Sequence, residues 1–140
     1  MSQKELFPVP PSRWETISWR ETPYKGVFLS KIEEEFYPKT KIPKCTVMAL
    51  KIDPNCLIPR HIHKRESNWQ ETITLPEGGN FEILDRGGSK KVSTKHQFSK
   101  TVRAREVFGI SNLDATPLYF YSRMEPGFTG YDEIEEIKAK

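Results

Sequence analysis

Short segments in which apolar and polar residues alternate recur along most of the chain, and turn-forming residues separate them. Eleven prolines and eight glycines leave room for strands of about five to eight residues but not for long helices. The glycine-rich segment 85–89 is expected to close a hairpin, because glycine adopts the positive φ that tight turns require. Regularly spaced short strands favour an all-β sandwich or barrel. The predicted strands are Trp14–Trp19, Lys25–Ile32, Thr46–Ile52, Leu57–His63, Glu71–Leu75, Phe81–Leu84, Lys90–Thr94, Val102–Ile110 and Leu118–Arg123.

The two ends of the chain and one internal charged run depart from this pattern. Residues 1–13 contain Pro8-Val9-Pro10-Pro11 and are expected to form an extended N-terminal lead. Residues 126–140 are expected to be an acidic C-terminal tail that either forms a short helix or frays. Neither end is expected to carry chemistry. The run Lys31–Glu35 is predicted to leave its strand for a solvated loop. We therefore expect a single domain over 1–140.

Composition narrows the class of protein. The 140 residues are 36% hydrophobic and 29% charged, which is typical of one globular domain. No stretch approaches the roughly 20 consecutive apolar residues of a membrane-spanning helix, and the N-terminus lacks the features of a secretory signal, so a cytoplasmic protein is expected. The net charge of +3 is mild, and Ile42 and Pro43 interrupt the densest basic cluster, Lys39, Lys41 and Lys44. We therefore expect neither nucleic-acid nor membrane binding.

Several common catalytic motifs are absent from the sequence. There is no G-x-S-x-G elbow, no GxGxxG and no GxxxxGKS/T, so a hydrolase triad, a dinucleotide site and a P-loop have no support. Cys45 and Cys56 lack the CxxC spacing of redox and zinc sites and are expected to be free thiols. The remaining candidate chemistry lies in the histidines and carboxylates.

Two histidines stand two residues apart in the segment Pro59-Arg60-His61-Ile62-His63. Because side chains alternate between the faces of a strand, His61 and His63 are expected to point the same way. Glu71 opens the next predicted strand. Two imidazoles and one carboxylate form a ligand set that suits Fe(II), Mn(II), Ni(II) or Zn(II). The alternative is that both histidines are exposed on a basic strand.

The spacing around these residues carries a resemblance to a known family. His61-x-His63 is followed after seven residues by Glu71 and then, after six more, by Gly78. This resembles the first motif of the cupin superfamily, in which Glu follows HxH after three or four residues and Gly follows after six. The longer gap fits an enlarged surface loop over 64–70, which costs little chain entropy. Within that loop Glu66 is the alternative carboxylate ligand, and Glu71 is preferred because it projects from a strand.

The second cupin motif is present only in part. The segment Glu106 to Asn112 matches it, but Phe108 stands where the family has a fourth ligand, a histidine, while Asn112 is retained. A phenyl ring cannot bind a metal ion, so either His61, His63 and Glu71 hold the ion alone or the site is a metal-free cavity. His96, in a polar stretch expected to be a loop, is the remaining possible ligand.

The resemblance implies a cupin-type double-stranded β-helix, a jelly-roll barrel. The first functional hypothesis is a small metalloenzyme that acts on a small polar or acidic metabolite through a divalent ion, with Tyr121 and Arg123 as a catalytic acid and an anion clamp. Dioxygenase, isomerase and cyclase chemistry stay open. The alternative is a metal-free module that binds a sugar or another small molecule. A homodimer is expected in either case.

Overall fold

The structure is a computed structural model that describes residues 16–137, so the predicted N-terminal lead 1–13, Trp14 and residues 138–140 lie outside the described part. Antiparallel strands dominate it, which confirms the all-β prediction. None of its helices is long and apolar enough to cross a membrane. The strands are β1 (Arg20–Glu21), β2 (Val27–Phe36), β3 (Pro43–Ile52), β4 (Leu57–His63), β5 (Gln70–Leu75), β6 (Gly79–Leu84), β7 (Ser89–Thr94), β8 (Phe98–Arg103), β9 (Phe108–Asn112), β10 (Leu118–Glu125) and β11 (Ile134–Glu136).

These strands form two sheets. One sheet has the order β1-β2-β3-β10-β5-β8, and the other has the order β11-β4-β9-β6-β7. The predicted hairpin turn at 85–89 closes β6 onto β7, where Leu84 pairs with Ser89. After β3, each strand lies in the opposite sheet from the strand before it, except that β6 and β7 form a hairpin within one sheet. Such repeated crossing between two sheets is the connectivity of a jelly roll.

The hydrophobic core lies between the two sheets and follows the alternation of each strand. In β5, for example, Ile73 and Leu75 are buried, whereas the intervening Thr72 and Thr74 are only half-buried. Trp69, Phe81 and Phe120 are the largest fully buried side chains of this core. Burying such side chains contributes about 2–3 kcal/mol each, so the inward positions supply much of the stability.

The predicted strand Val102–Ile110 is wrong in one respect, because it is two strands in different sheets. β8 ends at Arg103 and β9 begins at Phe108. Between them Arg105 takes a positive φ of 62°, and the Glu106 amide donates to the Arg103 carbonyl at 3.1 Å, which forms the turn. Arg103 and Arg105 are therefore not alternate residues of a single strand.

Two charged segments are more ordered than predicted. The run Lys31–Glu35 does not leave the sheet: β2 continues through it to Phe36, paired with β3 across a bulge near Lys31. The pairing strand β3 keeps alternate positions of the run half-buried, which outweighs its polarity. Similarly, the expected acidic tail over 126–140 forms, in its described part, a 3-10 helix at Tyr131–Glu133 and then β11, which pairs with β4.

Candidate functional site

A cavity opens between the two sheets beside β4. Its walls are mainly apolar side chains from both sheets, among them Met48, Ile58 and Phe120, and its buried ionisable groups are His61, His63 and Glu71. Its volume is about 60 Å³. The cavity is therefore narrow.

The two β4 histidines line this cavity side by side, as the alternation predicts. His61 is 5% exposed and His63 is 2% exposed, and their ring centres lie 5.2 Å apart. The alternative of two exposed histidines on a basic strand is therefore wrong. Trp69 stacks on His63 with ring centres 4.5 Å apart and fixes the plane of that imidazole.

His61 is held in one tautomer by the main chain. Its Nδ1 lies 2.8 Å from the Pro59 carbonyl oxygen, which only accepts hydrogen bonds, so Nδ1 carries the proton and donates it. Burial lowers the pKa of His61 to about 4, with the Pro59 bond opposing and His63 reinforcing the shift. At neutral pH the ring is uncharged, and its Nε2 is a hydrogen-bond acceptor or a metal ligand.

Glu71 lies beside His63 on the neighbouring sheet. Its Oε2 accepts a hydrogen bond from the Ser122 hydroxyl at 2.5 Å, and its Oε1 lies 3.7 Å from Nε2 of His63. Burial raises the pKa of Glu71, although His63 and the Ser122 hydrogen bond pull it down. The carboxyl group therefore has one oxygen bound to the protein and one directed toward the histidines.

Glu133 is a site residue that the sequence did not reveal. It lies in the 3-10 helix, is only 5% exposed, and binds Nδ1 of His63 through its Oε2. Burial alone would raise its pKa, but hydrogen bonds from His63 and Thr129 hold the pKa below its usual value. In the sequence Glu133 belongs to an acidic run that predicts a solvated end, so no local signal marks it.

The predicted catalytic pair Tyr121 and Arg123 does not face the cavity. In β10 the cavity wall is formed by Phe120 and Met124, and the alternate residues point to the outer face of the sheet. There Tyr121 is buried against Ala49 and packs against the N-terminal residues Ile17 and Trp19, while Arg123 is half-buried and forms an ion pair with Glu125. Burial on the outer face resembles burial in the core, so the sequence pattern alone does not identify the cavity side.

The remaining candidate residues differ in whether they reach the cavity. Glu66 is exposed and bonded to Arg65 at 2.6 Å, and His96 is exposed in the bend after β7, so neither reaches the cavity. Phe108 lines the cavity and pairs with His61 across β4 and β9, as the second-motif alignment predicts. Asn112 is buried but bonds the carbonyls of Ile52 and Thr116, which is a structural role.

The donor types of this site fit a divalent transition metal, but their arrangement is not closed around one. Two imidazoles and a carboxylate are the required ligand kinds. Within residues 16–137, however, no group of three or more His, Cys, Asp and Glu side chains is placed to hold a metal ion. Phe108 occupies the position of a further ligand.

Comparisons with known proteins identify the fold. No protein-family model and no curated protein matches the sequence. Solved structures do match. A conserved Klebsiella pneumoniae protein with a double-stranded β-helix domain has a TM-score of 0.63 at 20% identity, over 89% of this chain and 93% of that one. KdgF from Halomonas sp. gives 0.59 at 16% identity, over 83% and 92%. The polyketide cyclase RemF from Streptomyces resistomycificus gives 0.63 at 14% identity, over 90% and 83%.

These neighbours define the class of architecture, a double-stranded β-helix. More particularly, this chain has the cupin fold, as the HxH, Glu and Gly spacing predicts.

Proposed function

We propose that this protein encloses a small, mainly apolar molecule in the barrel cavity and holds a hydroxyl group of that molecule against His61, His63 and Glu71. The observation that carries the proposal is the convergence of these three buried groups in an otherwise apolar cavity. Binding sites for small molecules are typically apolar and contain a few polar groups that fix orientation. This proposal departs from the expected polar or acidic metabolite, because the walls favour an apolar body.

The preference for a hydroxyl group comes from the hydrogen-bonding roles of the site. The Nε2 atom of neutral His61 is an acceptor, and Oε1 of Glu71 is free of the Ser122 hydrogen bond. A hydroxyl group donates to either acceptor. A carboxylate group would instead lie against Glu71 and be repelled whenever Glu71 is ionised. In a site shielded from water, an unpaired acceptor costs about 1–3 kcal/mol, so a purely apolar ligand is disfavoured.

The test compares three probes with the same ring, namely phenol, toluene and benzoate. Thermal stabilisation of the ligand-free protein is measured with each, because a ligand that binds only the folded state raises the melting temperature. We expect phenol to stabilise most, toluene less and benzoate least. His61→Phe removes one of the two acceptors and should reduce the advantage of phenol over toluene, whereas His96→Ala, at an exposed position, should keep it in full. Equal stabilisation by phenol and toluene would contradict the proposed contact between the ligand hydroxyl group and the polar groups of the cavity.

A metal ion held by His61, His63 and Glu71 is the second candidate. It is favoured by one observation: His61 donates Nδ1–H to a backbone carbonyl, which is how metal-binding histidines are usually oriented. Fe(II), Mn(II), Ni(II) and Zn(II) suit this donor set, and such an ion would act as a Lewis acid on a bound substrate. Elemental analysis of protein purified without chelators or a histidine tag, followed by melting curves with each ion, tests this candidate. A metal-free protein whose melting temperature none of the four ions changes would eliminate it.

A further inference from the structure

We infer that Glu133 is a positioning residue that keeps the proton of His63 on Nδ1, so that Nε2 presents a lone pair to the cavity. The inference deepens the proposed function, on which its importance for ligand binding rests. It also makes the segment after β10 part of the site, because Glu133 and its partner Thr129 lie there.

The orientation of Glu133 is fixed by donors on one side of its carboxylate. Its Oε1 accepts hydrogen bonds from Arg65 Nη1 at 2.8 Å, from the Thr129 hydroxyl at 2.8 Å and from the Thr129 amide at 3.0 Å. The Arg65 side chain is 8% exposed, so its charge faces Glu133 with little screening by water. These contacts favour the ionised carboxylate and leave Oε2 for His63.

The consequence for His63 follows from the roles of the two ring nitrogens. An ionised carboxylate only accepts hydrogen bonds, so Nδ1 of His63 must donate. In the neutral ring Nε2 then carries no proton. It lies 3.7 Å from Oε1 of Glu71, beyond hydrogen-bonding distance, and Trp69 stacks on the ring and prevents its rotation. The lone pair therefore stays directed into the cavity.

The main chain holds Glu133 and His63 in register. The Lys64 amide donates to the Glu133 carbonyl at 2.7 Å, and Ile134 pairs with His63 across β4 and β11. Glu133 is thus placed by strand pairing rather than by its side chain alone. A substitution that preserves shape can therefore change the chemistry of the pair without displacing the segment.

The Glu133→Gln variant distinguishes the effect of Glu133 on the proton of His63 from its contribution to packing. Three donors converge on Oε1, so the amide oxygen of glutamine should remain there and its NH₂ group should face His63. Nδ1 must then accept, and the proton moves to Nε2. Glu135→Gln, at an exposed position two residues away on β11, is the matched control.

The experiment is a nitrogen-15 NMR spectrum of the imidazole nitrogens at pH 8, recorded without any ligand. The chain has only three histidines, and His61→Asn and His96→Ala assign their signals. Wild type and Glu135→Gln should show His63 protonated on Nδ1, and Glu133→Gln should show it protonated on Nε2.

Several results would overturn the inference. They are a wild-type His63 protonated on Nε2 or on both nitrogens, or a Glu133→Gln variant that keeps the proton on Nδ1. If Glu133→Gln does not fold, the wild-type spectrum alone decides, because it must show the Nδ1 tautomer. If the tautomers are as expected but phenol does not stabilise the wild type, the proposed function fails and the positioning role stands.

Discussion

Replacing Phe108 with histidine would place a third imidazole on the wall of the cavity that carries His61. Phe108 is 2% exposed, lies directly opposite His61 across β4 and β9, and contacts it with ring centres 6.3 Å apart. The new side chain would stand where the cupin motif has its histidine. The variant should therefore bind Zn(II) or Ni(II) more tightly than wild type.

The Phe108→His substitution should destabilise the metal-free protein, and zinc should reverse most of that loss. Exchanging the buried phenyl ring for an imidazole removes apolar burial worth roughly 1–3 kcal/mol. For a chain of this length that corresponds to a melting temperature lower by about 4–12 °C without metal. Zinc at 100 times its dissociation constant would return about 2.7 kcal/mol, which recovers most of the loss.

The assay is a pair of melting curves, with and without zinc, supported by calorimetric titration. Phe120→His is the matched control, because Phe120 lines the same cavity from the other sheet. If wild type already binds zinc, the gain in Phe108→His is incremental; if it does not, only the variant binds tightly. A variant that gains no affinity over wild type and Phe120→His would refute the placement of Phe108 beside the histidines.

Three further predictions concern the same region. If zinc binds, Glu71→Gln should abolish its binding in calorimetry, whereas the exposed Glu66→Gln should change it only a few-fold; the reverse result would assign the ligand to the loop. As the pH falls from 6.5 to about 4, the free energy of unfolding of the wild type, measured with urea, should drop by up to about 3 kcal/mol more than that of His61→Asn. The reason is that the lowered pKa of His61 lets the unfolded chain bind a proton that the folded chain does not bind. A constant difference across that range would mean that His61 is not buried as described. Gly109→Ala should destabilise the protein by about 1–3 kcal/mol in the same assay, because a Cβ atom there would lie 2.7 Å from the β4 backbone. Gly87→Ala should be neutral, because the nearest atom to its Cβ would be 3.9 Å away. Equal effects of the two substitutions would contradict the close approach of β9 to β4.

The sequence predicted the features that depend on local alternation. The strand Leu57–His63 was bounded correctly, and the shared face of His61 and His63 follows from the period of two. Glu71 could be placed because it lies near the start of a strand whose alternate residues, Ile73 and Leu75, are apolar. The spacing to Gly78 then gave the cupin fold.

Features that depend on distant parts of the chain were missed. Glu133 meets His63 across 70 positions of sequence, and nothing in its acidic surroundings indicates burial. Both faces of β10 are largely buried, because the N-terminal segment covers the outer face. Its sequence therefore does not distinguish the two faces, and Tyr121 was assigned to the cavity although it lies on the outer face. Alternation separates two faces of a strand, but it does not tell which face borders the cavity when both are covered.

A crystal structure of the protein soaked with phenol tests most directly whether the barrel cavity is a binding site with a polar end. We expect electron density for the ring among the apolar walls, with the phenol oxygen about 3 Å from Nε2 of His61 or from Oε1 of Glu71. Density for phenol only outside the barrel, or a ring in the cavity whose hydroxyl group points away from His61, His63 and Glu71, would contradict the proposal.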